Sequence, residues 1–153
     1  LPGCESSFAC CVGLSPTVRL AHDGTMKNLD ITLYGIPNCD TVKKSRAWLT
    51  AQGCEHHFHD FKKQGVPTDA LALWIAHAGW ENLLNRTGTT WRKLDPVAQA
   101  AVNAAASASA LMQAHASVIK RPVVEWRSGS EVRVTVGFDE PSWLECLKNS
   151  PSV

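Results

Sequence analysis

Residues 31–61 restrict what this chain can fold into more than any other stretch. Ile31-Thr-Leu-Tyr34 alternates apolar and polar side chains as a short strand does. A loop over 35–39 follows, then a helical run over 40–52 with Gly53 placed as its stop. Residues 56–61 read as a second strand. Two strands joined through a helix lie parallel in one sheet, because the crossover returns the chain to the end where it started. The same order sets Cys39 between a strand end and a helix start. Backbone N–H groups without helical acceptors and the positive end of the helix dipole favour a thiolate at such a place. Lys43, Lys44 and Arg46 add positive charge, although lysines on a solvated helix face explain themselves without a site. Cys39 is therefore expected to be a reactive nucleophile rather than a small apolar core residue.

The rest of the chain supplies more helices and a hairpin. Residues 65–67 form a turn, and Thr68-Asp69 is expected to cap a helix carrying Leu71, Leu73, Trp74, Ile75 and Ala78, ended by Gly79. A short helix over 80–85 carries Leu83 and Leu84, residues 87–92 have loop character, and Asp95-Pro96 is a cap followed by a first-turn proline. The alanine-rich 98–116 segment divides into two short helices, with Ser107 as the internal cap. Arg121-Pro122 closes this helical section. Residues 123–126 and 132–136, joined by a tight turn at 128–130, predict an antiparallel hairpin with Val132, Val134 and Val136 on its buried face. A last helix near Pro141 is expected to turn Trp143, Leu144 and Leu147 to the core. The fold class is α/β. The order β-α-β, helices, β-β-α predicts a thioredoxin-like mixed sheet over 29–150 with a helical subdomain inserted at 63–118.

Residues 1–28 are rich in Gly, Ser, Pro and Cys without periodicity, and Met26 sits just before the first clear strand. They are expected to be an N-terminal extension without stable structure; the apolar patch at 8–14 is a weak match to a secretory signal. A formal net charge of +1 gives no basic excess for nucleic acid or an anionic membrane, and no apolar run approaches the roughly 18 residues of a span. Of six cysteines, Cys4, Cys10 and Cys11 crowd one end while Cys39, Cys54 and Cys146 stand singly. That pattern fits a reducing, cytoplasmic setting with a catalytic thiol better than a stapled secreted scaffold. Cys54 and Cys146 are expected to be structural, the alternative being a distant resolving role. On a strand His57 and His59 share one face and His56 takes the other, too few ligands for a metal site. The tryptophans, Trp74, Trp80 and Trp91 among them, are expected to fill the helical core, and Trp91 also suits a cleft wall.

Tyr34-Gly-Ile-Pro-Asn-Cys-Asp-Thr-Val-Lys-Lys44, Gly88-Thr-Thr-Trp-Arg-Lys-Leu94 and Ile119-Lys-Arg-Pro122, in that order, resemble the arsenate reductase (ArsC)-like family. Within it the chain is most similar to the Spx/YffB branch of small thiol oxidoreductases, over about residues 29–147. The resemblance implies that Cys39 attacks the substrate while arginines hold an anion. It implies that Arg121 is one holder and that Pro122 is the cis-proline beside the active cysteine. Arg86, after Leu83-Leu84 with Asn85 intervening, is the second holder, with Arg92 the alternative. Asn38 either supplies a backbone amide at the site or caps the helix. A further family arginine has no counterpart, since 136–139 reads Val-Gly-Phe-Asp. Losing that cation shifts the expectation from an arsenate dianion toward glutathione-linked thiol chemistry. Position 42 is valine, so no C-x-x-C pair resolves an intermediate locally. The implied function is a glutathione-dependent thiol–disulfide oxidoreductase acting on a mixed disulfide or small oxyanion. Glutathione is then its co-substrate, glutaredoxin a further partner, and no cofactor is bound. The alternatives are an Spx-like redox-responsive transcription regulator that binds RNA polymerase, and a true arsenate reductase.

Overall fold

The computed structural model describes residues 29–149, so the N-terminal extension expected at 1–28 lies outside the described residues. Strand β1 (Leu29–Gly35) leads through the Cys39 loop to helix α1 (Asp40–Ala51) and then to β2 (His57–Asp60). Strands β3 (Val123–Ser128) and β4 (Glu131–Val136) form the hairpin, and α8 (Glu140–Lys148) ends the domain. The four strands order as β2-β1-β3-β4; β1 and β2 are parallel, and the other two pairings are antiparallel. Ser128 pairs with Glu131, leaving Gly129-Ser130 as a two-residue loop, and Gly129 takes φ +59°, the left-handed conformation such turns require.

The side-chain alternation of the strands builds two cores. Ile31, Leu33, Val124 and Trp126 face α1 and α8, where they meet Val42, Leu49, Trp143 and Cys146. Tyr34 and Val123 face the other way, toward the helices between β2 and β3. These are α2 (Phe61–Gln64), α3 (Thr68–Ala78), α4 (Trp80–Leu83), α5 (Thr89–Arg92), α6 (Pro96–Ala101) and α7 (Ala105–Ala114), followed by a 3-10 turn at Ala116–Val118. Phe61, Leu71, Trp74, Leu83, Leu84, Ala108 and Met112 bring their apolar faces to that side of the sheet, with Trp80 and Trp91 packed at its margin.

Several local expectations change. The second strand stops at Asp60, because the Asp60 carboxylate accepts from the Lys62 N–H at 2.8 Å and starts α2 with Phe61. The N-cap of α3 is Pro67 in extended conformation, so Thr68-Asp69 begin the helix instead of capping it. The expected loop at 87–92 contains a single helical turn, α5. Asp95 does cap α6, accepting from the Val97 N–H at 2.9 Å. The alanine-rich segment divides earlier than expected, around buried Val102. Ser107 is not the cap of α7; from inside the first turn its Oγ accepts from the Ala104 N–H and donates to the Ala104 carbonyl. In α8 the buried face holds Trp143 and Cys146, three apart, and Leu147 is half-buried. Leu144, one step around the helix, is 37% exposed rather than part of the core.

Candidate active site

Three chain segments meet at one end of the sheet. Tyr34 pairs with Val123, so the loop leaving β1 toward Cys39 and the Arg121-Pro122 segment entering β3 run side by side. The Pro122 carbonyl accepts from the Gly137 N–H at 2.8 Å, which brings the 136–139 stretch to the same end. From the helical side, Leu84 bridges Ile119, the Asn85 N–H donates to the Val118 carbonyl at 2.7 Å, and the Lys120 N–H donates to the Leu83 carbonyl at 2.7 Å. These bonds tie the chain around Arg86 to the chain that carries Arg121.

Cys39 is the N-cap of α1, with extended backbone (φ −94°, ψ 125°). Its N–H donates to the Ile36 carbonyl at 3.2 Å, and its own carbonyl accepts the Lys43 N–H at 3.0 Å. The thiol makes no capping hydrogen bond, and the residue is half-buried against the core beneath α1 and α8. A helix start leaves its first N–H groups without intrahelical acceptors, so the amides of the first turn open at the end where Cys39 sits. Asn38 is exposed and lies one residue before the cap; the capping role considered for it belongs by backbone position to Cys39.

The Arg121-Pro122 peptide is cis, as the resemblance implies. Pro122 is buried and Arg121 half-buried. Arg86 is exposed, its Cζ 5.8 Å from the centre of the Trp80 ring and 5.9 Å from that of Trp91. Arg92 is exposed in the last turn of α5. Among the described residues the ion pair is Arg127–Glu125, which leaves Arg86, Arg92 and Arg121 without a carboxylate partner there.

Val42 is fully buried, and a Cβ on Gly35 would stand 2.8 Å from its Cγ2. The strand end and helix start thus touch directly where a C-x-x-C pair would have its second sulfur. Neither other described cysteine is near. Cys54 follows the far end of α1, a 12-residue helix that spans about 18 Å at 1.5 Å per residue. Cys146 borders a shallow cleft with Leu29 and Ser128, at the opposite end of the sheet. Burial pushes both thiols up in pKa, as suits structural cysteines. His59 is occupied by the Gly65 carbonyl at 2.9 Å and lies tilted against Tyr34, ring centres 5.0 Å apart, and among the described residues no three His, Cys, Asp or Glu side chains gather as a metal set.

Sequence reasoning overlooked two contributors. In the sequence Asn85 merely intervenes between Leu84 and Arg86, yet its Oδ1 accepts from both the N–H and the hydroxyl of Thr87 and closes the turn that displays Arg86. Its Asn-x-Thr spacing is the legible signal. Trp80 packs against the helical core, as expected, and the centre of its ring also lies 5.8 Å from the Arg86 guanidinium carbon.

The ArsC family model matches residues 34–146. The solved YFFB (PA3664) protein is 43% identical, over 76% of this chain and 98% of its own, with a TM-score of 0.69. An arsenate reductase (ArsC) related protein from Brucella melitensis is 44% identical over 78% of this chain and 95% of its own, with a TM-score of 0.59. Among curated relatives, an uncharacterized protein of Haemophilus influenzae is 34% identical over 74% of this chain and 95% of its own. The global transcriptional regulator Spx of Streptococcus pyogenes is 24% identical over 72% of this chain and 79% of its own. A strand–cysteine–helix unit beside a cis Arg-Pro peptide, matched along nearly the whole described chain, places this protein in the ArsC family, in the branch that holds the Spx and YffB proteins.

Proposed function

We propose that this protein is a glutathione-dependent thiol–disulfide oxidoreductase on an arsenate reductase-like scaffold, with Cys39 as its one nucleophile. The observation that carries this reading is the position of Cys39: a half-buried cap residue whose thiol makes no hydrogen bond among the described residues, at the sheet end shared with Arg121-Pro122. In the first step the Cys39 thiolate attacks the glutathione sulfur of a mixed disulfide, R–S–SG. The S–S bond breaks, R–S⁻ leaves and takes a proton, and Cys39–S–SG forms. In the second, a glutathione thiolate attacks the Cys39-bound glutathionyl sulfur, giving oxidised glutathione and restoring Cys39. One disulfide is reduced and one glutathione disulfide is made, so electrons balance. With Val42 at the C-x-x-C position and Cys54 and Cys146 placed far away, no thiol among the described residues is near enough to resolve the intermediate, so the cycle draws on a dissolved thiol or glutaredoxin. Arg121 and Arg86, with Arg92 the alternate, hold the glutathione carboxylates through their paired N–H donors. Asn38 contributes main-chain polarity beside the thiol. Such a cycle suits a reducing, cytoplasmic setting, and no described helix is long and apolar enough to cross a membrane.

The test is production of oxidised glutathione from a glutathionylated peptide. Cys39→Ser is expected to abolish turnover, and an unchanged rate in that variant would remove Cys39 from the mechanism. Arsenate supplied with glutathione and glutaredoxin is expected to yield little arsenite. The stretch that lacks the further arginine instead gives Phe138 to the aromatic core, 5.0 Å from Trp143. A second reading, favoured by the Spx relatives, is a redox-responsive regulator of RNA polymerase. Retention of polymerase on the immobilised protein, altered by oxidation, would support it over the enzyme.

A further inference from the structure

The exposed guanidinium of Arg86 is not loose. Its Cζ lies within 6 Å of two indole centres, Trp80 at 5.8 Å and Trp91 at 5.9 Å, one from the helix before the Arg86 turn and one from the helix after it. A cation over an aromatic face is attracted by the ring quadrupole, and tryptophan is the strongest partner. Both indoles are themselves fixed, being half-buried against the helical core. The turn between them is built as tightly. Asn85 donates its N–H to Val118 and accepts twice from Thr87 through its side chain. Gly88 passes so close that a Cβ there would meet the Asn85 side-chain nitrogen at 3.0 Å. Aromatic rings occupy the faces of a guanidinium and accept poorly at its edge, and among the described residues no carboxylate takes the Arg86 donors. Arg92, one residue beyond Trp91, is exposed and among the described residues lies over no aromatic ring.

We propose that Trp80 and Trp91 are positioning residues that clasp Arg86, holding its N–H donors ready for a carboxylate of the glutathionyl group delivered to Cys39. The inference rests on the glutathione reading above. Its physical basis is entropy: an exposed arginine has many rotamers, and ordering it on binding costs affinity unless the free protein has ordered it already.

The experiment measures binding of S-methylglutathione, which carries the same carboxylates but cannot exchange disulfides, by calorimetry on the full chain. Arg86→Gln is expected to weaken binding roughly ten-fold, the loss of a charge-assisted contact. Trp80→Leu and Trp91→Leu are each expected to weaken it about two- to five-fold, with Trp→Phe at the same positions recovering most of the difference. In the Arg86→Gln background the leucine substitutions should have no further effect, since they act through the arginine. Thermal unfolding of each variant separates this from loss of fold. Leucine variants that bind like wild type, or that weaken binding equally with and without Arg86, would overturn the clasp while leaving Cys39 chemistry intact. Absence of binding in the wild-type protein would instead overturn the glutathione reading, and the clasp with it.

Discussion

Trp74 and Trp143 are both fully buried, on opposite faces of one sheet, and the two cores treat an indole differently. On the insertion face, the Trp74 N–H donates to Glu125 at 2.8 Å. Glu125 is itself only 1% exposed and receives Arg127 through Nε and a terminal nitrogen at 3.0 and 2.6 Å. On the α1–α8 face, Trp143 sits among Trp48, Trp126 and Phe138 at 5.6, 5.4 and 5.0 Å, and its N–H has no hydrogen-bond partner among the described residues. One core thus uses directional polar bonds to join inserted helices to the sheet. The other packs aromatic rings with Ile31, Leu33, Val42 and Leu49; there the Trp126 N–H donates to the Thr135 hydroxyl at 2.9 Å, but the Trp143 donor is left orphaned, and its desolvation works against the packing.

The comparison can be broken in four ways. Trp143→Ala is expected to cost about 3–5 kcal/mol in chemical denaturation, the usual penalty for emptying an aromatic core site; a cost near 1 kcal/mol would mean the cluster collapses to fill the space. Next comes alkaline stability, because Tyr34 faces the polar core. Burial first, and then the adjacent Glu125 charge, push its pKa from 10.0 up to about 12. The folded protein keeps a proton that the unfolded chain releases. Stability from this group is therefore complete below pH 10 and lost as pH rises to about 12, at roughly 1.36 kcal/mol per pH unit. Tyr34 is the only tyrosine in the sequence, so tyrosinate absorbance reads it alone, and Tyr34→Phe should flatten the alkaline fall. A midpoint near 10 would contradict the buried contact with Glu125. Third, Trp74→Phe should cost about 1–2 kcal/mol more than Trp143→Phe, since only the former strands a buried carboxylate oxygen. Equal costs would erase the distinction between the faces. Smallest of all, Leu144→Ser should move stability by less than about 0.5 kcal/mol, as an outward-facing position does.

The mixed sheet and the succession of its elements were legible because period-two alternation in β1 and β4 and the helix between β1 and β2 leave few topologies; the strand order β2-β1-β3-β4 comes from the structure. The Cys39 loop was legible for the same reason: strand end, loop and helix start are local signals. What escaped was decided by contacts between distant residues. Leu144 looks apolar enough for the core, but the helix face is set by where Trp143 and Cys146 find the sheet. Glu125 reads as a polar residue on a strand, and nothing nearby announces a Trp74 donor 51 positions away. Asn38 and Asn85 are alike as candidate turn formers; backbone geometry gave the cap to Cys39 and the Arg86 turn to Asn85. The anion-holding roles proposed for Arg86, Arg92 and Arg121 rest on family motifs, because no local pattern in the sequence distinguishes these arginines from ordinary surface ones.

Helix α6 buries none of its side chains and is held mainly by the Asp95 cap and by the Gln99 amide, which donates to the carbonyls of Trp91 and Leu94 at 2.9 and 3.1 Å. With so little packing to lose, this helix is expected to open more cheaply than the sheet, and its amides should exchange with deuterium ahead of those in the strands. Because Gln99 grips the backbone of Trp91 itself, such fraying would slacken one jaw beside Arg86 while the sulfur end of the domain stays folded.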